Sequence, residues 1–266
     1  MSNSSLVTYT LLSPHCVKRT KPITKITVHH VAGIGDAERI GRNFVGTRAA
    51  SANYGIGSDA SVGLYVDESC RAFTSSSPTN DNQAVTIEVS NDSIGGDWHV
   101  SDACLMKLIE LIVDICERNN IKWLKYTGDK AGNLTRHNMF AATACPGPYL
   151  QSKFPYIADK TNAELSAFNV VMPVAALLNL TAPKEWISII KGEKRAPVSY
   201  IKALLEKTCK HASIPYTDQT LLVVITDLLS LTAPAQWRDI LAGTLVAPPG
   251  YVRALFERIN KKVGNL

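Results

Sequence analysis

Lys25-Ile26-Thr27-Val28-His29-His30-Val31 is a β-branched, apolar run that carries two adjacent histidines. β-Branched side chains suit the extended chain, and a short apolar run bounded by polar residues reads as a buried strand. Successive side chains on a strand face opposite sides, so only one of His29 and His30 can face a given site. Ala84 to Val89 reads as a second such strand, and Tyr54 to Ile56, Ser61 to Val66 and Arg71 to Thr74 as shorter ones between Gly, Asp and Ser turns. A helix is expected over Ile40 to Ala49, weakened by Gly41 and Gly46. Ser101 caps a strongly amphipathic helix running through Arg118, with Leu105, Leu108, Ile109, Ile112, Val113 and Cys116 on its buried side. A short helix after Gly147 would bury Tyr149, Leu150 and Phe154. Strands mixed with helices in this way predict an α/β fold, a mixed central sheet flanked by helices.

The 266 residues suffice for one large or two small domains, and 45% hydrophobic with 19% charged residues is ordinary for a globular chain. No apolar run approaches the roughly 18 residues of a membrane span, so membrane insertion is not expected. Met1-Ser2-Asn3-Ser4-Ser5 lacks the basic and apolar regions of a secretory signal, so the expectation is a protein kept in the cytoplasm until released. Six irregularly spaced cysteines argue against a disulfide framework; Cys104 and Cys116 fall among the apolar residues of one helix and read as small buried hydrophobes.

Charge divides the chain. Residues 1 to 164 hold 16 basic and 16 acidic side chains, residues 165 to 266 hold 12 and 7, so the whole net charge of +5 lies in the C-terminal part. A duplication lies there too. Leu178-Asn179-Leu180-Thr181-Ala182-Pro183-Lys184-Glu185-Trp186 returns 51 residues later as Leu229-Ser230-Leu231-Thr232-Ala233-Pro234-Ala235-Gln236-Trp237, and Ala196-Pro197, Tyr200 and Ala203-Leu204 recur as Ala247-Pro248, Tyr251 and Ala254-Leu255. Apolar spacing makes each unit helical, with Thr181 and Thr232 as expected N-caps and Pro183 and Pro234 in the first turn. The expected organisation is a first domain over residues 1–158, a linker over 159–167, and a small all-α domain of two tandem helical repeats over 168–266. Trp186, Trp237, Tyr200 and Tyr251 read mainly as core residues of those repeats.

The segment Arg136-His137-Asn138-Met139-Phe140-Ala141-Ala142-Thr143-Ala144-Cys145-Pro146-Gly147 carries the chemistry. Zinc accepts imidazole nitrogen and thiolate sulfur, and a catalytic zinc site needs only three protein ligands. His137 and Cys145 supply two; the third is to come from the His29-His30 strand end. A helix start beside Cys145 would favour a thiolate. His15, His99 and His211 have no comparable context. Val85, Ile87 and Val89 alternate with Thr86 and Glu88, so Glu88 faces away from the apolar side, toward either a cleft or solvent.

Four blocks follow in a familiar order: Thr27-Val28-His29-His30-Val31-Ala32, Ser51-Ala52-Asn53-Tyr54-Gly55-Ile56, Asn82-Gln83-Ala84-Val85-Thr86-Ile87-Glu88-Val89, and His137 with Thr143-Ala144-Cys145-Pro146-Gly147. Over roughly residues 20 to 158 the chain resembles the type 2 N-acetylmuramoyl-L-alanine amidases, zinc enzymes that share a fold with the peptidoglycan recognition proteins. The resemblance implies His29, His137 and Cys145 as zinc ligands, with His30 the competing assignment for the first. It implies Glu88 as the general acid-base, Tyr54 near the metal, and Thr143 in a position where several members carry Lys or Thr; Tyr54 or Thr143 could donate to the oxyanion. Thr86 departs from a common Gly and Val31 from a common Thr or Ser.

The resemblance implies cleavage of the amide between N-acetylmuramic acid and L-alanine in peptidoglycan. A basic repeat domain after such a domain suggests binding to a cell-wall polymer, since bacterial walls carry anionic polymers. Together these suggest a phage or prophage endolysin of a Gram-positive host. A host wall-remodelling amidase and a non-catalytic peptidoglycan recognition protein are the competing readings; no recognised motif or basic stripe supports nucleic-acid binding.

Overall fold

A computed structural model describes residues 2–264. The chain divides into two compact units, one ending at Leu165 and one beginning at Ser166. Within the first, the central six-stranded sheet has the order β1-β5-β4-β7-β3-β8, built from β1 (Tyr9–Thr10), β3 (Lys25–His30), β4 (Tyr54–Ile56), β5 (Val62–Leu64), β7 (Ala84–Val89) and β8 (Leu134–Arg136). All its pairings are parallel except β4 with β5, which confirms the mixed α/β sheet. A separate antiparallel pair joins β2 (Cys16–Lys18) to β6 (Cys70–Ala72).

The two faces of the sheet are chemically different. Ile26, Val28, Tyr54, Ile56, Val85, Ile87 and Val89 point into one apolar core beneath α3 (Asp102–Arg118), together with Leu108, Leu111, Ile112 and Ile115. Ser101 caps α3 as expected, accepting a hydrogen bond from the Cys104 amide. On the opposite face, Thr27 and Thr135 are bonded to each other (2.9 Å), and Asn80 donates to Thr27 (2.9 Å) and Ser75 (3.2 Å). Thr86, where the resemblance led to a smaller residue, shares its hydroxyl with Thr74 (2.8 Å) and Asn53 (3.3 Å). A buried polar face is tolerable because its groups are paired, and this one joins β3 to β8 and anchors β7 to Thr74 and Asn53.

Three expectations need correction. The helix expected over Ile40 to Ala49 is α1 (Ala37–Arg42): Asp36 caps it, and it stops at Asn43, leaving Val45 exposed. The short helix after Gly147 is α4 (Pro148–Leu177), 30 residues long, so residues 159–167 are helical and form no extended linker. The reason is burial within the first unit: Leu150, Phe154, Ile157 and Leu165 fill its core, and buried Asn162 brackets Leu124, accepting from its amide (2.7 Å) and donating to its carbonyl (2.9 Å). A polar stretch thus became a packed surface. The remaining four-residue α2 (Pro78–Asp81) sits before β7.

The second unit is helical, with α5 (Pro183–Ile190), α6 (Val198–His211), α7 (Leu221–Leu229), α8 (Pro234–Leu241) and α9 (Pro249–Lys262) around one core. The duplication maps element for element, α5 onto α8 and α6 onto α9, while α7 repeats the end of α4. Trp186 and Trp237 are buried as expected, but Tyr200 is 38% exposed. The expected N-caps also shift: Ala182 and Ala233 occupy the cap positions without a side-chain bond, and Thr181 and Thr232 stand one residue earlier, exposed. Among the described residues no helix is long and apolar enough to cross a membrane.

Candidate active site

His29 ends β3 on the polar face and is 1% exposed. In the parallel register His29 pairs with Glu88 of β7, so both side chains leave the sheet on the same side, with Nδ1 of His29 4.0 Å from Oε1 of Glu88. His137 opens a 3₁₀ turn directly after β8, and its ring lies 4.6 Å from that of His29, centroid to centroid. Cys145 comes back over the strand ends: its Sγ is 3.7 Å from His29 Nδ1 and accepts the backbone N–H of His30 at 3.4 Å. A bond from the Asn138 amide to the Cys145 carbonyl (3.1 Å) closes the loop between the two. One donor atom from each of His29, His137 and Cys145 lies within 4.8 Å of the others.

His30 is thereby separated from His29. Its side chain leaves the other face of β3, meets Trp98 edge-on at 5.4 Å, and packs against Gly147, where an added Cβ would come within 3.1 Å of the His30 ring and of Trp98. Gly147 also has φ +83°, so the backbone favours glycine at the end of the Cys-Pro-Gly turn and the close packing leaves little room for a Cβ. Of the remaining histidines, His99 pairs with Asp92 (2.8 Å) and His15 contacts the Gly46 carbonyl (2.7 Å).

Electrostatics suit a cation. Burial, then the neighbouring His137 and His30, hold His29 well below its ordinary range, and burial also lowers His137, so both imidazoles are neutral. Nε2 of each is buried without a hydrogen-bond partner, and so is Oε2 of Glu88. Unpaired buried polar atoms are costly, and three of them on neighbouring side chains fit a site that pairs with something not of the chain. Burial, followed by the Glu88 charge, pushes the Cys145 thiol far up, so a metal taking it as thiolate must displace a proton. Two neutral imidazoles and a thiol are the donor set of a borderline-soft divalent cation with room left for a further ligand. Burial pushes Glu88 up to about 8, with Arg48 pulling the other way, which leaves this carboxyl able to gain or lose a proton near neutrality.

Glu88, His137, Cys145 and Thr143 line a cleft of about 700 Å³, whose walls include His30, Phe44, Arg48, Thr74 and Trp98. Beyond Arg48 and Phe73 lies a groove of about 390 Å³ bordered by Arg71, Ser76 and Asp81. Asp81 spends its carboxylate on the Thr74 amide and on Ser75, leaving Arg48 and Arg71 as the dominant charges there. Thr143 is exposed at the rim, its hydroxyl accepting the Cys145 amide at 3.2 Å.

Tyr54 is not in the cleft. Its register partner is Ile87, on the apolar face, and its hydroxyl donates to Glu68 (2.7 Å) while accepting the Ser4 amide (2.9 Å). Glu68 is 1% exposed and holds Arg118 in a two-pronged pair at 2.7 and 2.9 Å. Strand alternation decides this: Gly55, not Tyr54, stands opposite Glu88. Tyr54→Phe should therefore cost about 1.5–3 kcal/mol of stability, the worth of a bond to a charged group, and leave kcat unchanged; chemical denaturation with a parallel rate assay reads both. Arg48 and Trp98, absent from the expected site residues, lie on loops, Arg48 in the stretch after Arg42 where a helix was expected to continue.

An α/β domain that brings two imidazoles, a thiol and a carboxylate together beside an open cleft has the parts a metal-assisted hydrolase uses. Residues 19–148 match the N-acetylmuramoyl-L-alanine amidase family. Similar solved structures include PlyL (15% identity, TM-score 0.47, 58% of this chain and 96% of that one) and a mutant endolysin from Bacillus subtilis (15%, 0.46, 58% and 99%). The amidase LysC from Clostridium intestinale URNW is similar at 19% identity, TM-score 0.39, over 57% of this chain and 96% of that one. No curated protein sequence matches the chain.

Proposed function

We propose that the chain is a zinc-dependent peptidoglycan hydrolase that cleaves the amide between the lactyl group of N-acetylmuramic acid and L-alanine, and acts as an endolysin on Gram-positive walls. The observation that carries this is the convergence of His29, His137 and Cys145 donors within 4.8 Å, with Glu88 beside them in register. His29, His137 and Cys145 would hold the ion. Bound there, zinc would supply Lewis-acid polarisation of the scissile carbonyl and acidify water.

The chain's own residues do the rest. Glu88 takes the proton of the attacking water on a carboxylate oxygen and returns it to the amide nitrogen as the C–N bond breaks, so the amine leaves neutral. Neutral His29 and His137 each keep one ring nitrogen with a free lone pair to offer the ion. Thr143 sits at the rim where a hydroxyl can meet the tetrahedral oxygen. Arg48 and Arg71 offer charge to the carboxylates of a stem peptide; Arg48→Gln should raise KM up to about fivefold, the range of an exposed ion pair, with kcat less affected.

An endolysin role would hold the protein in the producing cell's cytoplasm until its release to the wall, and the basic repeats would anchor it to a wall polymer. Gram-positive walls treated with the protein should lose turbidity and gain free L-alanine amino groups; a chelator should stop this and zinc restore it. Reducing ends in place of amino groups, or lysis indifferent to chelation, would sink the proposal. A non-catalytic recognition protein is the second reading, and Cys145 and Glu88 both standing in the cleft speak against it.

A further inference from the structure

We propose that each helical repeat carries a groove for a sugar residue bearing an acidic substituent, so that the second unit holds two equivalent wall-ligand sites. This rests on the reading of the repeats as wall-binding. In the first repeat a pocket of about 160 Å³ is lined by Leu180, Thr181, Ala182, Trp186, Tyr200, Ala203, Leu204 and Lys207. Seven of these eight recur unchanged 51 residues on, and the eighth exchanges Lys207 for Arg258, one cation for another.

Packing accounts for only part of that retention. Trp186 and Leu204 are core residues, but Thr181, Tyr200 and Ala203 are exposed. Exposed lysines outside the groove are not retained: Lys184 becomes Ala235, Lys191 becomes Ala242 and Lys194 becomes Leu245. Neither Thr181 nor Thr232 caps its helix, so the repeated hydroxyl has no helix-capping role to explain it.

The geometry repeats as well. Trp186 and Tyr200 have ring centroids 5.6 Å apart and Trp237 and Tyr251 5.7 Å. Lys207 donates to the Leu178 and Asn179 carbonyls (3.3 and 2.7 Å), and Arg258 donates to the equivalent Leu229 carbonyl (3.0 Å) and to that of Ser230. These bonds hold each cation at the groove while leaving it further N–H donors, three being available on Lys and five on Arg. The volume is well under the roughly 300–1,000 Å³ of a drug-sized site, which fits a single ring. An aromatic pair offers a flat apolar face with a polar rim, a hydroxyl offers a hydrogen bond, and the cation selects an anion. Two such sites on one chain would act by avidity.

The test is co-sedimentation of the full-length protein with purified Gram-positive walls, either intact or stripped of phosphodiester-linked polymers with hydrofluoric acid. Tyr200→Ala or Tyr251→Ala alone should weaken binding about tenfold, and the pair by on the order of a hundredfold, as avidity is lost. Lys184→Ala, which lies outside the groove and copies the second repeat, should bind like the parent. Should the Tyr variants lose their thermal transition, Ala203→Phe with Ala254→Phe fills both grooves from an exposed and a half-buried position and should give the same loss. Loss confined to intact walls supports a polymer sugar as ligand, and equal loss on stripped walls supports the acidic sugar of the glycan strand. Folded variants that bind as the parent overturn the grooves while leaving wall binding standing; a parent that does not sediment with either wall overturns both.

Discussion

Cys145→Ser should abolish amide hydrolysis, lowering kcat/KM by on the order of a thousandfold or more. Lewis-acid stabilisation is worth several kcal/mol and each 1.36 kcal/mol is tenfold in rate, so loss of a soft ligand from a three-ligand site is felt in full. His137→Ala should match it, because the two residues sit on the same loop and complete the same donor set. Zinc content measured on the purified protein should fall with activity in both variants. His30→Ala is the contrast: His30 packs on Trp98 and Gly147, so zinc content should be kept. Full zinc occupancy in Cys145→Ser with no loss of rate would remove Cys145 from the site.

Glu88→Gln should lower kcat by about 10²–10⁴, the usual worth of a positioned acid-base, with KM and zinc content near those of the parent. The amide keeps the shape of the carboxylate and loses its ability to take a proton. The separation of zinc content from rate is what distinguishes this residue from the ligands. Should kcat survive within tenfold, the proton must be taken by another group, and none of the other residues lining the cleft is a carboxylate.

Much of the first unit was legible because its strands are short and strongly patterned. Tyr54–Ile56 and Ala84–Val89 fall where the pattern put them, and Ser101 begins α3 because its hydroxyl is the cap the helix needs. β1, β2 and β8 were missed: each is two or three residues long, and none sits in a longer β-branched or alternating stretch of the kind that marked β5 within Ser61 to Val66. The supposed linker failed for a different reason. Asp159, Lys160, Thr161 and Asn162 read as polar spacer, yet Thr161 and Asn162 are buried. Burial of polar side chains depends on partners distant in the chain, such as Leu124, which local composition does not reveal.

The site divides in the same way. The amino-acid sequence by itself determined the donor types, His and Cys closed by Pro-Gly, the alternation that set Glu88 apart from Val85, Ile87 and Val89, and the 51-residue duplication with its retained Trp, Tyr and Thr. It could not choose between His29 and His30, nor see that Tyr54 lies on the wrong side, because an isolated strand offers both faces equally. Only the tertiary structure decided these. Packing of α3 on one face of the sheet reserves that face for Tyr54 and the apolar core, and the loop from His137 to Cys145 folds back over the other, where His29 and Glu88 stand side by side. The grooves of the repeats follow the same rule: residues 27 positions apart, Leu180 and Lys207, become one surface only when helices pack.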